Sequence, residues 1–296
     1  DFQRFAERWS LPVMTSFRGK DRIDNRHPLY AGDMGIGIDP KLAARIQQCD
    51  VMLVVGPRLG EMTTQGYTRL VPPVAAQRLV HVYPAAEELN RVYQAELGIV
   101  AGMEAFGQAA QDLKAPSSVA WKEWAATARA DYEAFVKPVS VKGDVNPSEI
   151  FAWLNTRLPE DAILTNGAGN YAGWLHRFFL QRRFHTQLAP TSGAMGYGVP
   201  AAIGAKAVYP DRMVVACAGD GCFLMNGQEL ATAVQHQLNV VFLVFNNGAY
   251  GTIRMHQERE YPSRVIGTDL HNPDFAAYAR SFGCHGATVR KTSEFA

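Results

Sequence analysis

The chain has 296 residues, enough for two domains that each bury a core, with 47% hydrophobic and 19% charged residues. That balance is ordinary for a soluble α/β protein, and a net charge of +1 gives no footing for a nucleic-acid or membrane surface. No apolar run approaches the length that spans a bilayer, and Cys49, Cys217, Cys222 and Cys284 show neither a C-x-x-C pair nor zinc spacing.

The chain enters a helical pattern at once, on Phe2, Phe5, Ala6 and Trp9. Pro12 to Ser16, Cys49 to Gly56 and Arg78 to Tyr83 read as strands, and Pro40 to Gln48 and Ala85 to Tyr93 as helices. Such alternation predicts a parallel sheet, and this first domain is expected over residues 1–115. A linker is expected over 116–146, opening with Pro116-Ser-Ser, helical from Trp121 to Phe135, and rich in Val, Lys and Gly from Pro138 to Asn146. The second domain, 147–296, repeats the alternation. A helix runs to Arg157, a strand covers Asp161 to Thr165, a Gly-rich turn follows, and a helix lies near Tyr171 to Phe179. No internal repeat or low-complexity tract appears.

Two apolar runs then carry the chemistry. Met213 to Ala218 reads as a buried strand that ends in Gly219-Asp220-Gly221, and Val240 to Phe245 ends in Asn246-Asn247. Between them Leu230, Ala233 and Val234 recur at helical spacing, so the unit is strand, helix, strand. A parallel crossover sets both strand ends on one sheet edge, where open α/β sheets bind ligands. A carboxylate and a carboxamide meeting there are hard oxygen ligands suited to Mg²⁺, which shares its shell with substrate phosphates. Taken singly, each residue has a plainer reading, Asp220 as a helix cap and Asn247 as a turn residue.

Asp220 and Asn247 bracket just under thirty residues, and that arrangement resembles the thiamine diphosphate signature. The flanks Gln228-Glu229-Leu230 and Asn246 to Gly251, and the segment Ser192 to Ala205, are similar to the same stretches of acetolactate synthase and related 2-oxo acid decarboxylases. The resemblance implies an α/β fold of two Rossmann-like parallel-sheet domains, the central and the diphosphate-binding domain. Because the chain opens on Asp1 and closes after Thr292 and Ser293, which read as a helix cap with no helix following, both domains are expected to be truncated.

The resemblance further implies site roles. Asp220, Asn247 and the carbonyl of Ala249 would hold Mg²⁺. Gly169, Asn170, Gly221 and Cys222 would contact the diphosphate, the carbonyl of Gly193 would accept from the aminopyrimidine, and Met195 would prop the cofactor in a bent shape. Ile253 and His256 are candidates for the substrate side, although the family usually carries Trp where His256 stands. The Glu that activates the cofactor lies in the family's first domain, reaching it from a neighbouring subunit. A homodimer or homotetramer is therefore implied for the full-length protein, with this piece alone inactive.

The implied reaction is decarboxylation of a small-molecule 2-oxo acid, followed by protonation to an aldehyde or by ligation to a second carbonyl compound. A non-catalytic protein of the same fold is the bland alternative, and intact metal ligands argue against it. Gly167 to Ala172 also fits G-x-G-x-x-G/A, which leaves a dinucleotide-binding oxidoreductase as a third reading, but no acid follows to meet a ribose. Where flavin-binding relatives carry their contacting segments, Tyr30 to Gly37 and Gly56 to Met62 keep only Arg58 and scattered glycines, so FAD finds little support. With no secretory or transit signal visible, buried free thiols in a reducing cytoplasm are expected.

Overall fold

A computed structural model describes residues 2–296, which form two compact units dividing between Phe135 and Val136. Both are α/β, and every strand ladder in them is parallel. No helix among the described residues is long and apolar enough to cross a membrane.

In the first unit β1 (Val13–Thr15) pairs with β2 (Tyr30–Asp33), while β3 (Val51–Val55), β4 (Arg78–Tyr83) and β5 (Leu97–Val100) form a sheet in that order. The helix Pro40–Gln48 starts where Asp39 accepts from the Lys41 N–H and proline occupies the first turn. Its Leu42 and Ile46 join Met52, Val54 and Leu79 in the core. Helix Lys122–Phe135, expected within a linker, packs in this unit. Its Asp131 takes Lys41 at 2.7 Å and Arg45 at 2.6 Å, and Tyr132 meets Tyr30 edge-on at 4.9 Å.

The helix expected over Ala85 to Tyr93 shrinks to a single 3₁₀ turn, Ala86–Glu88. Asn90 adopts a left-handed φ of 60° and its side chain accepts from the Ala95 N–H, while Tyr93 is pulled inward to donate to the Leu70 carbonyl. Local helix propensity loses here to two tertiary bonds. Strands β2 and β5 escape the apolar pattern because each is four residues long and contains a glycine.

In the second unit the order is β7-β6-β8-β9, with β6 (Ile163–Asn166), β7 (Gln187–Leu188), β8 (Val214–Gly219) and β9 (Val241–Phe245). The chain leaves β6 toward β7 on one side and returns to place β8 on the other, so a topological switch point lies between β6 and β8. Every residue of β8 is buried, as expected for a strand covered on both faces. Its register pairs Gly219 with Phe245, so β8 and β9 end level. Phe151, fully buried on helix Pro147–Arg157, stacks on Phe245 with ring centres 6.1 Å apart. Ala287 to Val289 stays outside the ladders, and Thr292–Glu294 forms a 3₁₀ turn in which the Thr292 hydroxyl accepts from the Asn146 N–H.

In the first unit, burial pushes the Lys20 ammonium down to about 8, against the pull of the neighbouring Asp33 carboxylate. The unfolded chain holds that proton up to about 10.5, so between these values the unfolded state binds more protons and stability rises with pH. Urea denaturation across this pH window should show a rise in the wild type that Lys20→Met lacks; parallel curves for the two proteins would contradict it.

Candidate functional site

Three turns leave the carboxyl edge of the second sheet side by side: Gly167 to Tyr171 after β6, Asp220 after β8, and Asn246 to Tyr250 after β9. They border one cavity of about 1600 Å³, which runs on along β9 toward His285 to Arg290. Of the residues singled out in the sequence, Gly169, Asn170, Gly193, Met195, Asp220, Gly221, Cys222, Asn247, Ala249 and Ile253 all line it. His256 does not. It sits exposed on helix Gly251–Glu260, with Nδ1 facing the Arg259 guanidinium at 3.0 Å.

Asp220 is 2% exposed. A carboxylate taken out of water needs donors or a cation, and three donors are present. Oδ1 accepts from the Gly221 N–H at 2.9 Å, and Oδ2 accepts from the Gly248 N–H at 2.8 Å and from Asn272 Nδ2 at 2.7 Å. The Gly248 bond ties the two turns together. Asn247 is exposed, and its Oδ1 accepts from the Ala249 N–H at 3.2 Å in an Asx turn. At Gly221 an added Cβ would lie 2.5 Å from the Tyr250 ring, so only glycine lets these elements close up.

Two further residues hold the loops, and the sequence alone did not mark them. Tyr171 accepts from the Gly167 N–H at 2.9 Å and donates to Cys222 Sγ at 3.3 Å; that sulfur accepts from the Gly196 N–H at 3.0 Å. One phenol thus joins the Gly167 turn, the Gly-Asp-Gly-Cys turn and the Gly193 to Gly196 segment. Burial raises the Tyr171 hydroxyl well above the usual phenol range, with Cys222 adding to the effect, so it stays a donor. Thr252 is the other. Its hydroxyl accepts from the Asn170 N–H at 2.9 Å and donates to Asn170 Oδ1 at 3.0 Å, fastening helix Gly251–Glu260, which buries none of its residues, to the Gly167 turn. Both pairings join distant parts of the chain and leave no local spacing to find.

The donor set fits an oxygen-loving cation with an anionic ligand. Among the described residues no three His, Cys, Asp or Glu side chains converge on a metal, and what the turns offer is a carboxylate, a carboxamide and backbone carbonyls. Buried oxygens without a partner, Asn166 Oδ1, Thr268 Oγ1 and Asn272 Oδ1, lie at or beside these turns. All four cysteines are free thiols, and burial pushes Cys217 up to about 12.

Two parallel-sheet units, one of them with a cavity at its carboxyl edge, define a ligand-binding α/β protein, and comparison with known families gives its class. The profile of the thiamine pyrophosphate enzyme C-terminal TPP binding domain matches residues 167–296, and that of the central domain matches 1–110. The chain belongs to the thiamine pyrophosphate enzyme family. Among its relatives, the acetolactate synthase large subunit of Parasynechococcus marenigrum is 31% identical over 96% of this chain and 46% of its own length. That of Corynebacterium glutamicum is 29% identical over 99% of this chain and 48% of its own. The sulfoacetaldehyde acetyltransferase of Alcaligenes xylosoxydans is 26% identical, covering 97% and 52%. The chain therefore spans about half the length of the curated relatives it matches.

Replacing Tyr171 with Phe keeps the ring but strands the Gly167 N–H, which should cost about 1–3 kcal/mol. Urea unfolding of the purified variant measures this, and wild-type stability would show that the hydroxyl does not hold the turn.

Proposed function

We propose that the full-length protein is a thiamine diphosphate- and Mg²⁺-dependent enzyme that decarboxylates a 2-oxo acid and ligates the product to a second carbonyl compound, as an acetolactate synthase does. The observation that carries this reading is the joining of Asp220 to the Asn246–Ala249 turn at the sheet edge by the 2.8 Å bond from Gly248. Bound thiamine diphosphate supplies the carbon nucleophile and the electron sink that loss of carbon dioxide requires. The chain's own residues hold and shape it. Asp220, the Asn247 amide and the Ala249 carbonyl bind Mg²⁺, whose charge neutralises the diphosphate.

Gly169, Asn170 and Cys222 offer polar contacts to that anion from two turns. Gly221 lends close backbone approach, though in this structure its N–H is engaged by Asp220. Met195 gives an apolar prop and the Gly193 carbonyl an acceptor for the aminopyrimidine. Ile253, on the cavity wall, faces the substrate side, with His256 one turn further along its helix. The activating Glu comes from outside this chain, from a neighbouring subunit of a homo-oligomer in the cytoplasm. FAD has no place in this proposal.

In the full-length protein, Asp220→Ala and Asn247→Ala should each abolish Mg²⁺-dependent thiamine diphosphate binding while leaving the far-ultraviolet circular dichroism unchanged. Calorimetry that found wild-type cofactor affinity in both would refute the metal assignment.

His256, in place of the family's usual Trp, favours a second reading in which the acid is larger than pyruvate or the product is a free aldehyde. A product assay over a panel of 2-oxo acids separates them. The expected result is carbon dioxide release from pyruvate with acetolactate exceeding acetaldehyde, and an unchanged acceptor preference in His256→Trp, because that residue stands off the cavity wall. Absence of decarboxylation throughout the panel would end the enzyme reading, and turnover of larger acids alone would end only the acetolactate assignment.

A further inference from the structure

We infer that Asn272 is a positioning residue of the metal site, one that fixes which oxygen of Asp220 faces the cation; this rests on the reading of Asp220 as a Mg²⁺ ligand. Asn272 lies far beyond the Gly-Asp-Gly and Asn-Asn turns in sequence. It is brought back by an antiparallel bridge between Ala249 and Asp269, in which Tyr250 donates to the Thr268 carbonyl and Leu270 to the Gly248 carbonyl, each at 2.8 Å. Just beyond it, Asp274 caps helix Phe275–Ser281 by accepting from Ala276 and Ala277, which pins the other side of the segment.

The Asn272 amide has one orientation that works. Its Nδ2 donates to Asp220 Oδ2 at 2.7 Å and to Asn246 Oδ1 at 2.8 Å. Turning the amide over would set its oxygen against two other acceptors. Holding this orientation leaves Asn272 Oδ1 buried without a partner, a cost that calls for a reason. The reason lies in what it does to the carboxylate. A carboxylate oxygen has about two lone-pair sites. Asp220 Oδ2 already receives Gly248 and Asn272, so it is full, whereas Oδ1 receives only Gly221. The one open lone pair is on Oδ1.

A cation at this site is therefore met by a single carboxylate oxygen on a group that cannot rotate. Mg²⁺ demands near-ideal octahedral geometry, which a two-oxygen grip would distort, whereas Ca²⁺ accepts carboxylates bound through both oxygens. Without Asn272, Oδ2 regains a lone pair and the carboxylate gains a second way to bind. Partners that hydrogen-bond a metal-ligating carboxylate typically change metal affinity by about 10–100-fold.

The test is titration of Mg²⁺, and separately Ca²⁺, into the full-length protein with thiamine diphosphate present, following intrinsic tryptophan fluorescence. Wild type, Asn272→Ala, Asn272→Leu and Asp220→Ala are compared, with thermal midpoints taken in the absence of metal. Both Asn272 variants should need about 10–100-fold more Mg²⁺ for half-saturation and a smaller excess of Ca²⁺, beyond any change in the metal-free thermal midpoint. Asn272→Ser replaces either variant that does not fold. An unshifted Mg²⁺ midpoint, or a fall in metal-free stability with the Mg²⁺ midpoint unmoved, overturns the inference while the Asp220 reading survives. Wild-type behaviour of Asp220→Ala overturns the underlying site reading instead.

Discussion

The Gly248 N–H meets the Asp220 carboxylate at 2.8 Å, and the contact exists because β8 and β9 run parallel and finish at the same level. Register pairs Gly219 with Phe245, so the next residues of each strand leave the sheet as neighbours. A slip of one residue would turn every side chain of β9 to the opposite face and carry the Asn-Asn turn away from Asp220. What prevents the slip is burial. β8 is enclosed along its whole length, and β9 sets Phe245 against Phe151 and Tyr171, with Phe242 and Val244 packed toward other clusters.

Asp220 shows why the turns need that precision of placement. A buried carboxylate costs several kcal/mol unless its charge is met, and here backbone amides and a side-chain amide meet part of it. Gly221, Gly248 and Asn272 come from three different turns. The same group thus stabilises the loop arrangement and, under the proposed reading, keeps a lone pair for a cation.

The surrounding loops are held by cross-ties rather than by a core of their own. Tyr171 binds the Gly167 turn to Cys222, and Thr252 binds Asn170 to helix Gly251–Glu260, which buries nothing. Loops carrying ligands on a rigid sheet are the usual arrangement for binding sites. The family match covers both units of this chain, and the relatives it matches are about twice its length.

Much of this was legible in the residues themselves. The apolar runs fixed the positions of β3, β4, β8 and β9, and the helices expected from Pro40 and from Pro147 both form, because these signals are local. The Asp220 and Asn247 turns could be placed on one edge from the strand–helix–strand pattern alone, since parallel crossovers leave no other choice. Tertiary structure decided the rest. It unwound Ala85 to Tyr93 through bonds to Ala95 and Leu70, and it gave β7 a place of only two residues. It also brought Tyr171, Thr252 and Asn272 to the site and left His256 off the cavity wall. Those partners lie tens of residues apart, and only the packed sheet, by fixing register, determines which of them come within hydrogen-bonding reach.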